Sequence, residues 1–190
     1  MSTIRSGRRA SRQSAAAAFF FAVAAHAAEG HAHVHGAAEL RIVVDGAQLE
    51  VALETPLDNL LGFEHAPRTA SERAAVRAMA ARLRQPSTLF MPTPAARCIA
   101  GSVEIDAPVL PAELLGNPTS AGAAPSTPGE THADLDATFR WQCDAPSGLK
   151  GLEVALLEAF PGLRTVKVQI AGPRGQSATV LSGTRRSLRW

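Results

Sequence analysis

The sequence predicts an α+β fold, rich in antiparallel sheet, with one main amphipathic helix. Apolar and polar residues alternate over several short runs, which is the pattern of strands with one buried face. The stretch after Thr69 instead has apolar residues at the three- and four-residue spacing of a helix that buries one side. Many strands and few helices are typical of α+β domains.

Two strand pairs are predicted as hairpins. The first pair covers residues 40–44 and 49–53, and Asp45-Gly46 between them is a typical hairpin turn. Pro56 ends the second strand, because proline has no N–H for the ladder. A further hairpin is predicted near the end of the chain, with strands at 165–170 and 176–181 around a turn at 172–175.

The helix has a clear start and a clear end. Thr69 and Glu72 fit a capping box, in which a hydroxyl and a carboxylate satisfy the first N–H groups. The predicted helix runs from Ala70 to Arg84 and ends before Pro86. One face is apolar, and the arginine face is expected to be solvated. The apolar stripe consists of Val76, Met79, Ala80 and Leu83.

Two further strands are predicted at 96–106 and 135–143. Residues 107–131 lie between them, rich in Pro, Gly and Ala and without regular periodicity, which predicts a flexible loop.

The segment LEVAL occurs twice, at 49–53 and 152–156, each time before a proline-containing break and after a segment led by a histidine. This shared order is either a duplicated strand–strand–helix/loop unit or a chance match of five common residues.

Residues 1–27 have the three parts of a signal peptide. A basic start without acidic residues precedes an apolar run of 11 residues at 15–25, and Ala25-His26-Ala27 supplies the small-residue cleavage pattern. The apolar run is too short to span a bilayer as a helix. The sequence therefore predicts export by the general secretory route to the periplasm, leaving residues 28–190 as a single domain without membrane insertion.

Loss of the leader changes the charge balance. The full chain has 19 basic and 17 acidic residues, and four of the arginines lie in the leader. Fifteen basic residues against 17 acidic ones leave the exported domain mildly acidic. No basic stripe with interleaved aromatic residues remains, so nucleic acid is not an expected partner.

Cys98 and Cys143 are the two cysteines of the chain. An isolated pair in an oxidising compartment predicts a disulfide that clamps the two flanking strands. A thiolate metal site is the alternative, but oxidation of the thiols competes with it.

Histidines at alternate positions mark the start of the exported chain. His31, His33 and His35 would lie on one side of an extended segment, where their imidazoles can converge on one ion. Imidazole suits zinc, copper and nickel. A polar N-terminal tail is the competing interpretation. Cleavage after Ala28 would also create an N-terminal square-planar site for Cu²⁺ or Ni²⁺.

Other candidate ligands lie in two separate segments. His65 follows Glu64 in GFEHAPR, where it either binds metal or bonds the backbone of a loop. His132 and Asp134 lie two residues apart at the start of a strand, on one side of it. They either complete a site with the N-terminal histidines or close a loop. No nucleophile, phosphate-binding or metalloprotease motif is present, so enzymatic activity is not expected.

Several segments, in this order, resemble the ZrgA-type periplasmic zinc-binding proteins, formerly a domain of unknown function. They are HVHGAAEL, LEVALETPLDNLLGFEHAPRT, HADLDATFRWQC, FPGL and GQSATVL, and they extend from His33 to the last predicted strand. PLDNLLGFEHAPRT is the most specific of them. The resemblance implies export from a Gram-negative bacterium, zinc binding and an association with a zinc-uptake transport system, without enzymatic activity.

The resemblance also shows a departure. It covers His33, His35, Glu64, His65, His132 and Asp134, but does not decide which of them bind zinc. Many members carry a long tract rich in His, Asp and Glu in the region that corresponds to 107–131, and this chain has a Pro/Ala-rich segment there. A capacity of one or a few ions is therefore expected.

Together these features predict a periplasmic zinc-binding protein. Zinc would be held by His31, His33 and His35, with His132, His65 or a nearby carboxylate such as Asp134 or Glu64 completing the ligands. The alternatives are an interaction or scaffold module with incidental histidines, and a protein that handles copper or nickel.

Overall fold

A mixed six-stranded sheet organises the domain in the computed structural model, which describes residues 34–117 and 133–190. The predicted leader, residues 1–27, lies outside the described residues. Its strands are β1 (Ala37–Asp45), β2 (Gln48–Pro56), β4 (Cys98–Asp106), β5 (Asp134–Cys143), β7 (Thr165–Gly172) and β8 (Gly175–Ser182). Their order across the sheet is β4-β5-β2-β1-β7-β8.

Both predicted hairpins are present. β1 pairs with β2 from Glu39↔Glu54 to Asp45↔Gln48, and Gly46 in the turn has φ of 55°. β7 pairs with β8 up to Gly172↔Gly175. The α+β fold class is thus confirmed, with one addition: β1 and β7 are parallel neighbours. Alternating apolar residues report which face of a strand is buried, but not the direction of the neighbouring strand.

One face of this sheet is buried and the other is open. In β1, β2 and β5, every second residue is buried, while the residues between them are mostly charged or polar. The buried side chains belong to one continuous apolar core. We refer below to the opposite side of these strands as the open face.

The main helix, α2 (Ala70–Leu83), follows α1 (Asp58–Leu61) and confirms the predicted capping box. The Thr69 hydroxyl accepts from the Glu72 N–H at 3.1 Å, and the Glu72 carboxylate accepts from the Thr69 N–H at 2.9 Å. The predicted stripe of Val76, Met79, Ala80 and Leu83 is buried. No helix in the described part of the chain is long and apolar enough to cross a membrane.

A second sheet of three short strands contradicts the duplicated unit. It consists of β3 (Phe90–Pro92), β6 (Gly151–Val154) and β9 (Ser187–Arg189), in the order β3-β6-β9, and α3 (Pro86–Leu89) precedes β3. The first LEVAL is the middle of β2, whereas the second is divided between β6 and α5 (Leu156–Ala159). The five letters form different structures because their pairing partners differ.

The first part of the predicted flexible loop, residues 107–117, contains a short helix and buried side chains. Leu110 is buried, as are Leu114 and Leu115 of α4 (Ala112–Leu115). Arg84 donates hydrogen bonds to Leu115 O and to Asn117 Oδ1, the latter at 2.7 Å. Asn117 in turn donates to Ile105 O at 2.8 Å. The buried leucines and these hydrogen bonds attach residues 107–117 to the domain in spite of the loop-like composition. Residues 118–131 lie outside the described residues.

The predicted disulfide joins Cys98 and Cys143. The two residues stand opposite each other in the register of the antiparallel strands β4 and β5. Because both sulfur atoms are in this bond, they do not form the thiolate metal site that was the alternative interpretation.

Candidate metal site at the end of β2

Two segments that carry predicted ligands meet the end of β2 at one end of the six-stranded sheet. β1 begins two residues after His35, β2 ends at Pro56, and β5 begins at Asp134. Pro56 and Asp134 are register partners, and the Leu57 N–H donates to Ala133 O at 2.8 Å. Val34 and Ala133, the described neighbours of the predicted ligands His33 and His132, therefore lie at the same end of β2.

His35 is paired with a carboxylate at this end. Its Nδ1 lies 2.9 Å from Oδ2 of Asp58, the first residue of α1. The two side chains remain 62% and 37% exposed. A hydrogen bond from Nδ1–H to a carboxylate fixes the ring and leaves Nε2 as the nitrogen that can bind a metal, which is the usual arrangement behind a metal-binding histidine.

The backbone next to His35 is also fixed. Asn59 accepts from the Gly36 N–H at 2.5 Å and donates to Ala37 O at 2.8 Å. Arg164 N donates to Gly36 O at 2.7 Å, and its guanidinium Nη2 donates to His35 O at 3.2 Å. Hydrogen bonds from α1 and from the start of β7 therefore hold this turn from both sides.

Gly36 suits this position because of its backbone conformation. Its φ of 80° lies in the left-handed region, which L side chains rarely adopt. A Cβ atom there would also lie 2.4 Å from Nε of Arg164. The turn that presents His35 therefore requires glycine.

Asp58 and Asn59 were not among the candidates from the sequence. The chain separates Asp58 from His35 by 23 residues, and neither spacing nor composition joins them. Their position inside PLDNLLGFEHAPRT, the most specific segment of the family resemblance, was the available signal.

A row of carboxylates crosses the open face beside this site. Asp136 stands opposite Glu54 on one side and Asp106 on the other. Partial burial, and then the negative charges of Glu54, Asp106 and Asp134, raise the pKa of Asp136. Arg41, 3.4 Å from Glu54, partly compensates the charge. The open face is thus acidic near the end of β2.

His65 and Glu64 belong to the entry of the main helix. His65 Nδ1 lies 3.0 Å from Ala66 O, and its ring stacks on Phe63 with centroids 5.1 Å apart. Glu64 is exposed. This is the arrangement expected of the backbone-bonding alternative for His65.

The described residues do not form a complete metal site. Within 34–117 and 133–190, no three His, Cys, Asp or Glu side chains lie close enough together to hold one ion. The structure brings His35 together with Asp58, and Asp134 lies across from Pro56. His31, His33 and His132 lie outside the described residues, so their predicted role stays a prediction.

A family model matches most of the chain. The model of the family described as "ZrgA family zinc uptake protein" matches residues 32–190, which include every described element. No curated protein matches the chain. The family match extends over most of the chain, and the chain therefore belongs to the ZrgA family of zinc uptake proteins.

Proposed function

We propose that this member of a zinc uptake family is an exported, non-enzymatic protein that binds zinc in the periplasm. It would buffer zinc there or deliver it to a zinc-uptake transport system. The family supports a role in zinc uptake. The Cys98–Cys143 disulfide supports an oxidising compartment, because such bonds persist in the periplasm and are rare in the cytosol.

The pair of His35 and Asp58 is the observation that carries the proposal. An imidazole whose Nδ1 is held 2.9 Å from a carboxylate oxygen presents Nε2 as a ligand in one tautomer. His31, His33 and His132 are the proposed further nitrogen ligands. Their sequence neighbours Val34 and Ala133 lie at the same end of β2 as this pair.

The exposure of this pair suits a cargo that must be released. Zinc held in a buried, closed site with four protein ligands has a structural role, whereas an open site allows exchange. His35 is more than half exposed, and the nearby carboxylates favour the approach of a cation. We infer reversible binding of one or a few ions by nitrogen and oxygen ligands.

A competition titration tests this proposal with the purified protein, Zn²⁺ and a chromophoric chelator. We expect tight zinc binding that weakens by at least about 10-fold in His35→Ala and less in Asp58→Asn, which keeps the shape of the side chain. Affinity should also fall as the pH is lowered, because a protonated imidazole does not bind metal.

His65→Ala is the matched control, because it removes an imidazole that bonds its own loop. Its zinc affinity should equal that of the wild type. Absence of zinc binding by the wild-type protein would refute the proposed function. Equal losses in His35→Ala and His65→Ala would contradict the assignment to His35.

A further inference from the structure

The two buried polar side chains of the described core are hydrogen-bonded to each other, and one of them also bonds the backbone that follows His35. Thr55 is 1% exposed and Asn59 is 3% exposed, and the remaining buried side chains of residues 34–117 and 133–190 are apolar. Burying a polar group is costly unless it is hydrogen-bonded. Thr55 and Asn59 are hydrogen-bonded to each other next to the candidate site, which indicates that their burial serves the structure of that site.

The Asn59 amide satisfies the backbone on the C-terminal side of His35. Its oxygen accepts from Gly36 N–H at 2.5 Å, and its nitrogen donates to Ala37 O at 2.8 Å. The same nitrogen donates to Thr55 Oγ1 at 3.0 Å, which fixes the orientation of the amide. Asn59 thus recognises both the N–H and the C=O groups that follow His35, as a neighbouring strand would.

Two adjacent residues of α1 form hydrogen bonds with His35 and with the residue that follows it. Asp58 holds the ring through Nδ1, and Asn59, the next residue, holds the backbone. Gly162 seats this helix closely, since a Cβ atom at that position would lie 2.3 Å from Asn59 O. Movement of α1 would therefore displace the ring and the backbone of His35 together.

We propose that Asn59, oriented by Thr55, is the positioning residue of the zinc site: it fixes the backbone that directly follows His35, so that Nε2 points in one direction. This inference rests on the proposed function. A ligand held in place before binding loses less conformational entropy when the ion arrives, which increases the affinity.

A double-mutant cycle with Zn²⁺ tests the role of Asn59. Chelator competition compares the wild type, Asn59→Ala, His35→Ala and the double variant. We expect Asn59→Ala to weaken zinc binding about 10-fold, within the range for residues that orient metal ligands. In the His35→Ala background, Asn59→Ala should cause no further loss, because the ligand that it positions is gone.

Asn117→Ala is the matched control for the loss of a structural asparagine. Asn117 also joins a short helix to the domain, through Ile105 O and the Arg84 guanidinium. Urea unfolding verifies that each variant is folded during the titration, and Asn117→Ala should keep the wild-type zinc affinity.

Thr55→Val is the milder variant, and it decides the test if Asn59→Ala does not fold. It should weaken binding in the same direction, again only when His35 is present.

The outcomes separate the two proposals. The positioning role is supported if Asn59→Ala weakens zinc binding in the wild-type background but not in the His35→Ala background. A loss equal to that of Asn117→Ala, or the same loss with and without His35, overturns the positioning role and leaves zinc binding by the protein in place. A wild-type protein that binds no zinc overturns the proposed function itself.

Discussion

Asp136 and Glu54 stand opposite each other on adjacent strands of the open face, as two carboxylates in register. Asp106 faces Asp136 from the other neighbouring strand. Like charges directly opposite each other destabilise a sheet. The fold thus carries a local electrostatic cost next to its candidate metal site.

This cost predicts that Asp136→Asn stabilises the protein at neutral pH. The raised pKa of Asp136 means that the folded state holds this proton more tightly than the unfolded chain, so ionisation opposes folding. The penalty begins as the pH rises above the ordinary aspartate value of about 3.9 and is complete above the folded pKa. We expect a gain below about 1 kcal/mol at pH 7, because the group is partly solvated.

Urea unfolding at pH 7 and pH 3, with chelator present, measures this gain. It should disappear at pH 3, where the carboxyl group is protonated in both states. Asp144→Asn, at an exposed position on the same polypeptide, is the control and should change little. A lower stability of Asp136→Asn at pH 7 would mean that the carboxylate makes favourable contacts that outweigh the repulsion.

The Glu72 carboxylate should have the opposite pH dependence. Hydrogen bonds from the N–H groups of Thr69 and Arg68 lower its pKa in the folded state. Its contribution to stability is therefore present above the unfolded pKa of about 4.3 and is lost as the pH falls through the folded value.

Glu72→Gln should thus destabilise the protein at pH 7 but not at pH 2, as measured by thermal unfolding. Thr69→Ala removes the hydroxyl side of the same capping box and should cost about 1 kcal/mol at either pH. Glu153→Gln, on the exposed side of β6, serves as the control for a loss of negative charge. A deficit of Glu72→Gln that persists at pH 2 would argue against the carboxylate as the cause.

The Cys98–Cys143 bond should contribute substantially to the free energy of unfolding. The two residues are separated by 45 positions, and closing a loop of this length is worth about 4 kcal/mol in the chain-entropy model. We expect the double variant Cys98→Ser/Cys143→Ser to lose about 2–4 kcal/mol in urea unfolding. The wild-type protein under reducing conditions is the control and should lose a similar amount; a loss below about 1 kcal/mol would mean that the bond restricts the unfolded chain little.

Gly36→Ala should destabilise the turn that presents His35. The left-handed conformation at φ of 80° costs about 1–2 kcal/mol for an L residue, and the added methyl group would displace the Arg164 guanidinium. Gly46→Ala is the matched control, because its φ of 55° is also left-handed but an added Cβ there would meet no atom within 4 Å. Thermal unfolding should show the larger loss for Gly36→Ala. Equal losses would show that Arg164 moves aside without cost.

Elements whose signals are local could be predicted from the residue pattern alone. Alternating apolar residues identified β1, β2 and the β7–β8 hairpin, and a hydroxyl and a carboxylate three residues apart identified the start of α2. The lone pair of cysteines identified the disulfide. Each of these signals depends on neighbouring residues or on residue type alone, so no knowledge of the tertiary arrangement was needed.

Which segments meet depends on contacts that the local pattern does not contain. The parallel pairing of β1 with β7, the division of the second LEVAL and the burial of Leu114 and Leu115 all depend on contacts between residues distant in the chain. The candidate site follows the same rule. A histidine at position 35 suggests a metal ligand, but Asp58 orients its ring and Asn59 orients the backbone that follows it. The register of β1 against β2 brings these residues together.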